Sequence, residues 1–164
     1  MFEFAPDEVL AKPALYDALA AAAEAVTGGE PDPVANMANI AALLWQFLPD
    51  LNWAGFYRAG HGASGSELVL GPFQGKPACI RIPFGQGVCG AAAARMETQL
   101  VVDVHAFPGH IACDAASRSE LVVPVIRDGV LVSVIDLDSP TLARFDAEDA
   151  RGIERLAARI AGAV

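Results

Sequence analysis

The fold is decided by two apolar runs with a tight turn between them: Leu121-Val122-Val123-Pro124-Val125-Ile126, then Arg127-Asp128-Gly129, then Val130-Leu131-Val132-Ser133-Val134-Ile135. Both runs are rich in β-branched residues, which favour extended strands. The Asp-Gly pair between them is typical of a tight hairpin turn. The sequence therefore predicts two neighbouring antiparallel strands, and this pairing excludes a sheet built only from parallel crossovers.

Helical periodicity lies on both sides of this hairpin. Apolar residues recur at three- and four-residue steps from Leu10 to Val26, and again from Ala35 to Phe47. A last helix is predicted to begin after Asp146, with Asp149 three residues later as in a capping box. Further strands are predicted at 52–58, 67–73, 78–82 and 99–102, and a short helix at 88–95. The pattern predicts an α+β fold with about six antiparallel strands, flanked by N- and C-terminal helices.

Length and composition limit the classes of protein that remain. The chain has 164 residues, enough for one domain with its own core, so we expect a single domain over residues 1–164. Hydrophobic residues make up 54% and charged residues 19%, which excludes wholesale disorder.

The net charge of −9 limits the partners. Nucleic acids and anionic membrane surfaces both attract basic patches, and Lys and Arg are scattered singly here, so we expect neither partner. No apolar stretch reaches the ~20 residues of a spanning helix, and the N-terminus lacks the basic start of a signal peptide. A cytoplasmic location is the expectation.

The cysteines are the first candidates for catalytic residues. The odd number of thiols leaves at least one outside a closed disulfide framework. Cys79 and Cys89 also fit as small buried hydrophobes. Cys113 lies in the long connection 105–117 at a predicted helical turn, which lowers a thiol pKa, although Asp114 opposes the effect. Structural zinc sites favour ligand pairs two to four residues apart; the cysteines are more widely spaced, so no metal site is expected.

Carboxylates form a second group of candidates. Asp136 and Asp138 end a strand two residues apart, so both lie on one face, and Glu120 begins the partner strand opposite them. Because like charges repel, at least one pKa should rise unless a cation intervenes. Such a cluster suits a cationic ligand, a metal ion or a protonated acid, or else simply caps strand ends in water. Trp53 and Tyr57 share a strand face and fit either a ligand wall or core packing.

Two other motifs have alternative interpretations. Gly85-Gln86-Gly87-Val88-Cys89-Gly90 matches the glycine pattern of dinucleotide-binding turns, but the antiparallel hairpin does not suit the parallel sheet that this pattern needs. We interpret these glycines as a tight turn that lets a helix pack closely, and NAD(P) affinity would support the other interpretation. His105 and His110 are either general bases or plain loop residues.

Several motifs together resemble the free methionine-(R)-sulfoxide reductases, enzymes built on a GAF domain. The stretches that carry the likeness are Asn52-Trp53-Ala54-Gly55-Phe56-Tyr57, Gly71 to Cys79, Gly87-Val88-Cys89-Gly90, Phe107-Pro108-Gly109-His110-Ile111-Ala112-Cys113-Asp114, Ser117 to Glu120, and Asp136-Leu137-Asp138-Ser139-Pro140. The likeness runs from about Met37 into the last helix, and residues 1–30 carry little of it. It implies a single GAF domain.

The resemblance also implies roles for the candidate residues. Cys113 would be the nucleophile, Cys79 would resolve its sulfenic acid as a disulfide, and Cys89 would be auxiliary. The substrate-site residues that it implies are Glu120, which is also the candidate proton donor, Asp136, Asp138, Trp53, Tyr57 and, nearby, Asp103.

The implied reaction reduces free methionine (R)-sulfoxide to methionine, with a thioredoxin-type reductant and without a metal or organic cofactor. A homodimer is the assembly that the family suggests. The alternative is a GAF sensory module that binds a small ligand without turnover.

Overall fold

A six-stranded antiparallel sheet runs through the part of the chain that this computed structural model describes, residues 10–63, 65–109 and 114–164. The helices are α1 (Lys12–Thr27), α2 (Pro33–Phe47), α3 (Gly87–Arg95) and α4 (Ala147–Ile160), with a 3₁₀ turn at Val104–Ala106. The strands are β1 (Trp53–Gly62), β2 (Gly65–Gly75), β3 (Arg81–Pro83), β4 (Gln99–Val101), β5 (Ser119–Arg127) and β6 (Val130–Ser139). Their order is β3-β2-β1-β6-β5-β4. The predicted α+β architecture is confirmed.

The predicted hairpin is formed by β5 and β6. Its turn residues Asp128 and Gly129 have φ angles of 52° and 77°. Positive φ at both central residues is the requirement of a type I′ turn, whose twist matches that of the flanking strands. Beyond the turn, the register shifts by one residue between Val125 and Ile126. After this shift, Glu120 lies opposite Asp138 and Leu121 lies opposite Leu137.

The two faces of the sheet bury two separate apolar clusters. On one face, Leu121, Leu137 and their strand neighbours pack beneath α1, α2 and α4. On the other face, Val122 and Val134 pack with residues of α3. No helix in the described ranges is both long enough and apolar enough to cross a membrane.

The last helix is fixed at its start by the predicted capping box. The Asp146 carboxylate accepts hydrogen bonds from the backbone N–H groups of Glu148 and Asp149 at 2.8 and 3.1 Å, and Asp149 accepts one from the Asp146 N–H. Tyr16 of α1 donates its hydroxyl hydrogen to Asp149 at 2.7 Å. The box therefore also joins the N-terminal helix to the C-terminal one, and the predicted cap is confirmed.

Two strand predictions need correction. The predicted strand 78–82 begins only at Arg81, so Cys79 lies in an irregular segment before β3. Gly75 has a φ of 126°, which bends the chain, and Pro77 has no N–H to donate to a ladder. In the segment 60–66, by contrast, the turn-like composition predicts a loop where the structure has mostly strand. Strand β1 continues to Gly62, and pairing resumes at Gly65.

Packing between α1 and α4 gives the first testable prediction. Alanine normally stabilises a helix interior over glycine by about 1 kcal/mol. A Cβ at Gly152, however, would overlap the Tyr16 ring. We expect Gly152→Ala to lower the free energy of unfolding by about 1–3 kcal/mol, measured by urea denaturation.

The control is Gly162→Ala, whose added Cβ would meet open space. Its effect should stay within about 0.5 kcal/mol. A stabilised Gly152→Ala variant would contradict this description of the helix contact.

Candidate active site

A cavity lies at the end of the β5–β6 hairpin that is remote from the turn, on the sheet face covered by α3. Its wall includes both aromatic side chains and all three carboxylates that the sequence singled out, together with Cys89. The described part of the wall also contains the segment 76–78, Ile82, the segment 86–88, Asp114 and Ser117. Residues far apart in the chain thus meet around one enclosed space.

The carboxylates meet because of strand alternation and register. Asp136 and Asp138 project from one face of β6, and Glu120 projects from the same face of β5, directly opposite Asp138. Glu120 and Asp136 are buried, with 6% and 5% of their surface exposed, whereas Asp138 is half-buried. The hairpin brings together the cluster that its sequence predicts.

Burial keeps protons on this cluster. Burial raises the pKa of Glu120 well above its usual range, and the charges of Asp136 and Asp138 raise it further. Burial also raises the pKa of Asp136, to about 7. The pKa of Asp138 is raised by burial and then by the charge of Asp136. Carboxylic acids that are protonated near neutral pH are proton donors, so the cavity can supply a proton to a bound molecule.

Cys89 sits among these acids. Its Sγ lies 3.9 Å from Glu120 Oε1 and donates a weak hydrogen bond. The residue is in the first turn of α3, where a helix N-terminus favours a thiolate. Burial opposes this and raises the thiol pKa well above its usual value, with further increases from Asp136 and Glu120. Cys89 is therefore a protonated thiol and not an activated nucleophile.

The glycine motif before α3 forms a compact turn. Gly85 N–H donates to Gly90 O at 2.7 Å, and Gly90 N–H donates to Gln86 O at 3.0 Å. A Cβ at Gly90 would press on the Pro83 carbonyl. The strand before the motif pairs antiparallel with β2. These contacts agree with the close-packing interpretation and lack the parallel crossover of a dinucleotide site.

Stacked aromatic rings form another wall. The Trp53 and Tyr57 ring centroids are 5.7 Å apart with an interplanar angle of 22°. Phe73 stacks on Trp53 at 5.1 Å. Trp53 Nε1–H donates to the Lys76 carbonyl at 3.2 Å, which fixes the indole. Sequence reasoning missed the contribution of Phe73, although the residue belongs to the motif 71–79.

A polar network at the cavity wall was also missed. Lys76 Nζ lies 3.1 Å from Asp114 Oδ2. Asn52 Nδ2 donates to Ser117 Oγ at 3.0 Å and, at 3.4 Å, to Asp114. A hydrogen bond from the Ala116 N–H, followed by the bond from Lys76, lowers the pKa of Asp114. The network joins segments that precede β1, follow β2 and precede β5.

The remaining predicted residues lie elsewhere. Asp103 caps the 3₁₀ turn by accepting the His105 N–H at 3.0 Å, and it is not among the described residues that line the cavity. That Asp103 belongs to the substrate site stays a prediction. Cys79 is half-buried against the apolar cluster next to the cavity, and its neighbour Ala78 lines the cavity. Cys113 and His110 lie outside the described residues.

Comparison with known proteins places the chain in a family. The profile of the GAF domain family matches residues 32–164. The chain is a member of the GAF domain family. This GAF domain is 50% identical to the free methionine-R-sulfoxide reductase of Escherichia coli K12, over 83% of this chain and 80% of that protein. It is 44% identical to the enzyme of that name in Saccharomyces cerevisiae, over 90% and 84% of the two chains.

A solved structure agrees with these relatives. The X-ray structure of free methionine-R-sulfoxide reductase from Neisseria meningitidis in complex with its substrate is similar to this GAF domain with a TM-score of 0.88 and 46% identity. The match covers 96% of this chain and 92% of that one. The family resemblance carried by the sequence motifs is confirmed.

The buried acids give a pH-dependent prediction. Folded protein keeps the Asp136 proton up to a pH of about 7, whereas the unfolded chain releases it near 3.8. The folded state therefore binds more protons in this interval, and the Asp136 contribution to stability is lost as pH rises from about 4 to about 7. We expect the free energy of unfolding of Asp136→Asn, relative to wild type, to increase across this interval in urea titrations.

The exposed Asp17→Asn variant controls for loss of a surface charge. A difference between Asp136→Asn and wild type that stays constant from pH 4 to pH 8 would contradict the raised pKa.

Proposed function

We propose that this GAF domain is an oxidoreductase that reduces free methionine (R)-sulfoxide to methionine. Relatives of that name and the similar substrate complex support the proposal. The observation that carries it is the buried Glu120 at the cavity wall, with its pKa raised well above the usual range. Sulfoxide reduction needs a proton on the departing oxygen, and a protonated carboxylic acid in an enclosed site supplies one.

The proposed reaction begins with a thiolate at Cys113. It attacks the sulfoxide sulfur while Glu120 protonates the oxygen. The attack forms a bond between the Cys113 sulfur and the substrate sulfur. The protonated oxygen then passes to the Cys113 sulfur: the sulfur–oxygen bond of the substrate and the sulfur–sulfur bond break, a sulfur–oxygen bond forms on Cys113, and methionine leaves a sulfenic acid behind. Cys79 condenses with this group, water leaves, and a disulfide forms. A thioredoxin-type dithiol returns two electrons and restores both thiols.

The polar network supports a pairing of these two cysteines. Lys76 lies three residues before Cys79, and Asp114 follows Cys113 directly in the chain. The ion pair between Lys76 and Asp114 ties these two segments at the same cavity wall. Such a tie limits the distance over which the two cysteines would need to move.

The cavity also fits a free amino acid. Carboxyl oxygens accept hydrogen bonds from an ammonium group and stacked aromatic faces attract it, whereas a residue inside a polypeptide has no such group. Asp138 is half-buried and is the candidate carboxylate for this contact. We therefore propose selectivity for the free amino acid over peptide-bound methionine sulfoxide.

The proposed reaction uses residues of one domain only. Assembly into a homodimer stays a prediction.

The cysteine assignments are tested by coupling turnover to thioredoxin, thioredoxin reductase and NADPH. We expect wild type to consume NADPH when free methionine (R)-sulfoxide is added, and Cys113→Ser to consume none. Cys79→Ser should release one methionine per chain and then stop, because its sulfenic acid has no resolving thiol. Circular dichroism checks that each variant folds.

Full NADPH turnover by Cys113→Ser would overturn the nucleophile assignment. Ligand binding by wild type without any turnover would instead support a GAF sensory module.

The role of Glu120 is tested by Glu120→Gln, which keeps the shape of the side chain but has no acidic proton to transfer. We expect kcat to fall by roughly 10²–10⁴-fold with a much smaller change in KM. Glu97→Gln is the matched control, since Glu97 is exposed and lies outside the cavity wall. An unchanged kcat for Glu120→Gln would exclude Glu120 as the acid.

A further inference from the structure

One thiol and two carboxylates lie close together in the cavity, in an arrangement that could also hold a metal ion. Cys89 Sγ and one oxygen each from Glu120 and Asp136 all lie within 4.8 Å of one another. All three residues are buried, and they come from α3, β5 and β6. Regular elements with packed cores hold them, so the ligand atoms start from nearly fixed positions.

An orphaned oxygen provides a second, independent observation. Asp136 is 5% exposed and lines the cavity, and its Oδ1 has no hydrogen-bond partner. A buried polar atom left without a partner loses its hydrogen bonds to water and gains none in exchange. Binding of a cation from the cavity would satisfy this oxygen. The arrangement is therefore one that a metal ion would complete.

The spacing is close to that of a tetrahedral zinc site. Zinc bonds to sulfur and oxygen of roughly 2.3 and 2.0 Å put neighbouring ligand atoms about 3.3–3.5 Å apart. The distance from Cys89 Sγ to Glu120 Oε1 is 3.9 Å, so closing it needs a shift of only a few tenths of an ångström. Three protein ligands also leave a fourth position open toward the cavity, as in zinc sites that bind a further ligand.

The donor set selects the kind of metal. A sulfur ligand favours zinc over magnesium and calcium, which prefer sites made only of oxygen. We propose that the cavity binds one Zn²⁺ through Cys89, Glu120 and Asp136, and that Zn²⁺ and free methionine sulfoxide exclude each other. Cysteine spacing could not indicate this site, because it joins a single cysteine to carboxylates of two other elements.

The exclusion follows from shared atoms and rests on the proposed function. A Glu120 oxygen bound to zinc is not available to a sulfoxide oxygen. No oxidation is involved, since the ligand protons pass to solvent and zinc keeps its charge. Zinc would therefore act as a reversible inhibitor and not as a cofactor.

Cobalt(II) is the probe for binding, because a bond from a thiolate to cobalt gives a charge-transfer band in the near ultraviolet. The reduced full-length chain is titrated with Co²⁺, and Zn²⁺ is then added to displace it. We expect one Co²⁺ per chain and loss of the band on zinc addition. Cys79→Ser is the matched control and should keep the band, whereas Cys89→Ser should lose it.

A carboxylate variant tests the rest of the ligand set. Asp136→Asn should weaken Zn²⁺ binding by about tenfold or more, because one of three protein ligands loses its charge. Absence of the band in wild type overturns the site without needing a variant, and so does a band that persists in Cys89→Ser. Circular dichroism verifies that the variants fold.

The competition arm separates this proposal from the reductase proposal. Added free methionine sulfoxide should raise the apparent Kd for Zn²⁺. Metal binding that is indifferent to the sulfoxide would overturn the exclusion. The reductase proposal is tested separately, by NADPH consumption in metal-free buffer. Absence of that consumption would contradict the reductase proposal and would leave the measurement of metal binding unaffected.

Discussion

Antiparallel register between β5 and β6 is the constraint on which the site depends. The Asp128-Gly129 turn and the one-residue register shift between Val125 and Ile126 together place Glu120 opposite Asp138, with Asp136 on the same face. A slip of one residue would turn the acids of one strand toward the apolar cluster beneath α1, α2 and α4. Charged groups there would lack partners and would cost several kcal/mol. Packing of the opposite face therefore fixes where the acids go.

The same constraint explains the chemistry of the cavity. Helix α3 covers the acidic end of the hairpin and removes Glu120 and Asp136 from water. Desolvation therefore raises the pKa values of both acids and of the Cys89 thiol. The proton donation and the metal binding proposed above would use the same cluster, so a bound sulfoxide and a bound metal ion would compete for it.

Local signals in the sequence predicted much of this fold. The Asp-Gly turn and the Asp146 cap have a direct physical cause in adjacent residues, and both appear as expected. The sequence predicts a strand at Cys79, because the alternation of apolar and polar residues carries no information about the bend at Gly75. The ion pair between Lys76 and Asp114 was missed because it joins distant segments through tertiary packing. Asp103 carries a plausible residue type, but its carboxylate caps a turn instead of facing the cavity.

The central claim is that burial raises the pKa values of the acid cluster well above the usual range of carboxyl groups. Its most direct test is ¹³C NMR of side-chain carboxyl groups in protein labelled at glutamate, with Glu120→Gln used to assign the resonance. The account predicts that the Glu120 carboxyl titrates at a pH well above the ordinary glutamate range. A resonance that titrates near the ordinary glutamate pKa of 4.5 would contradict it.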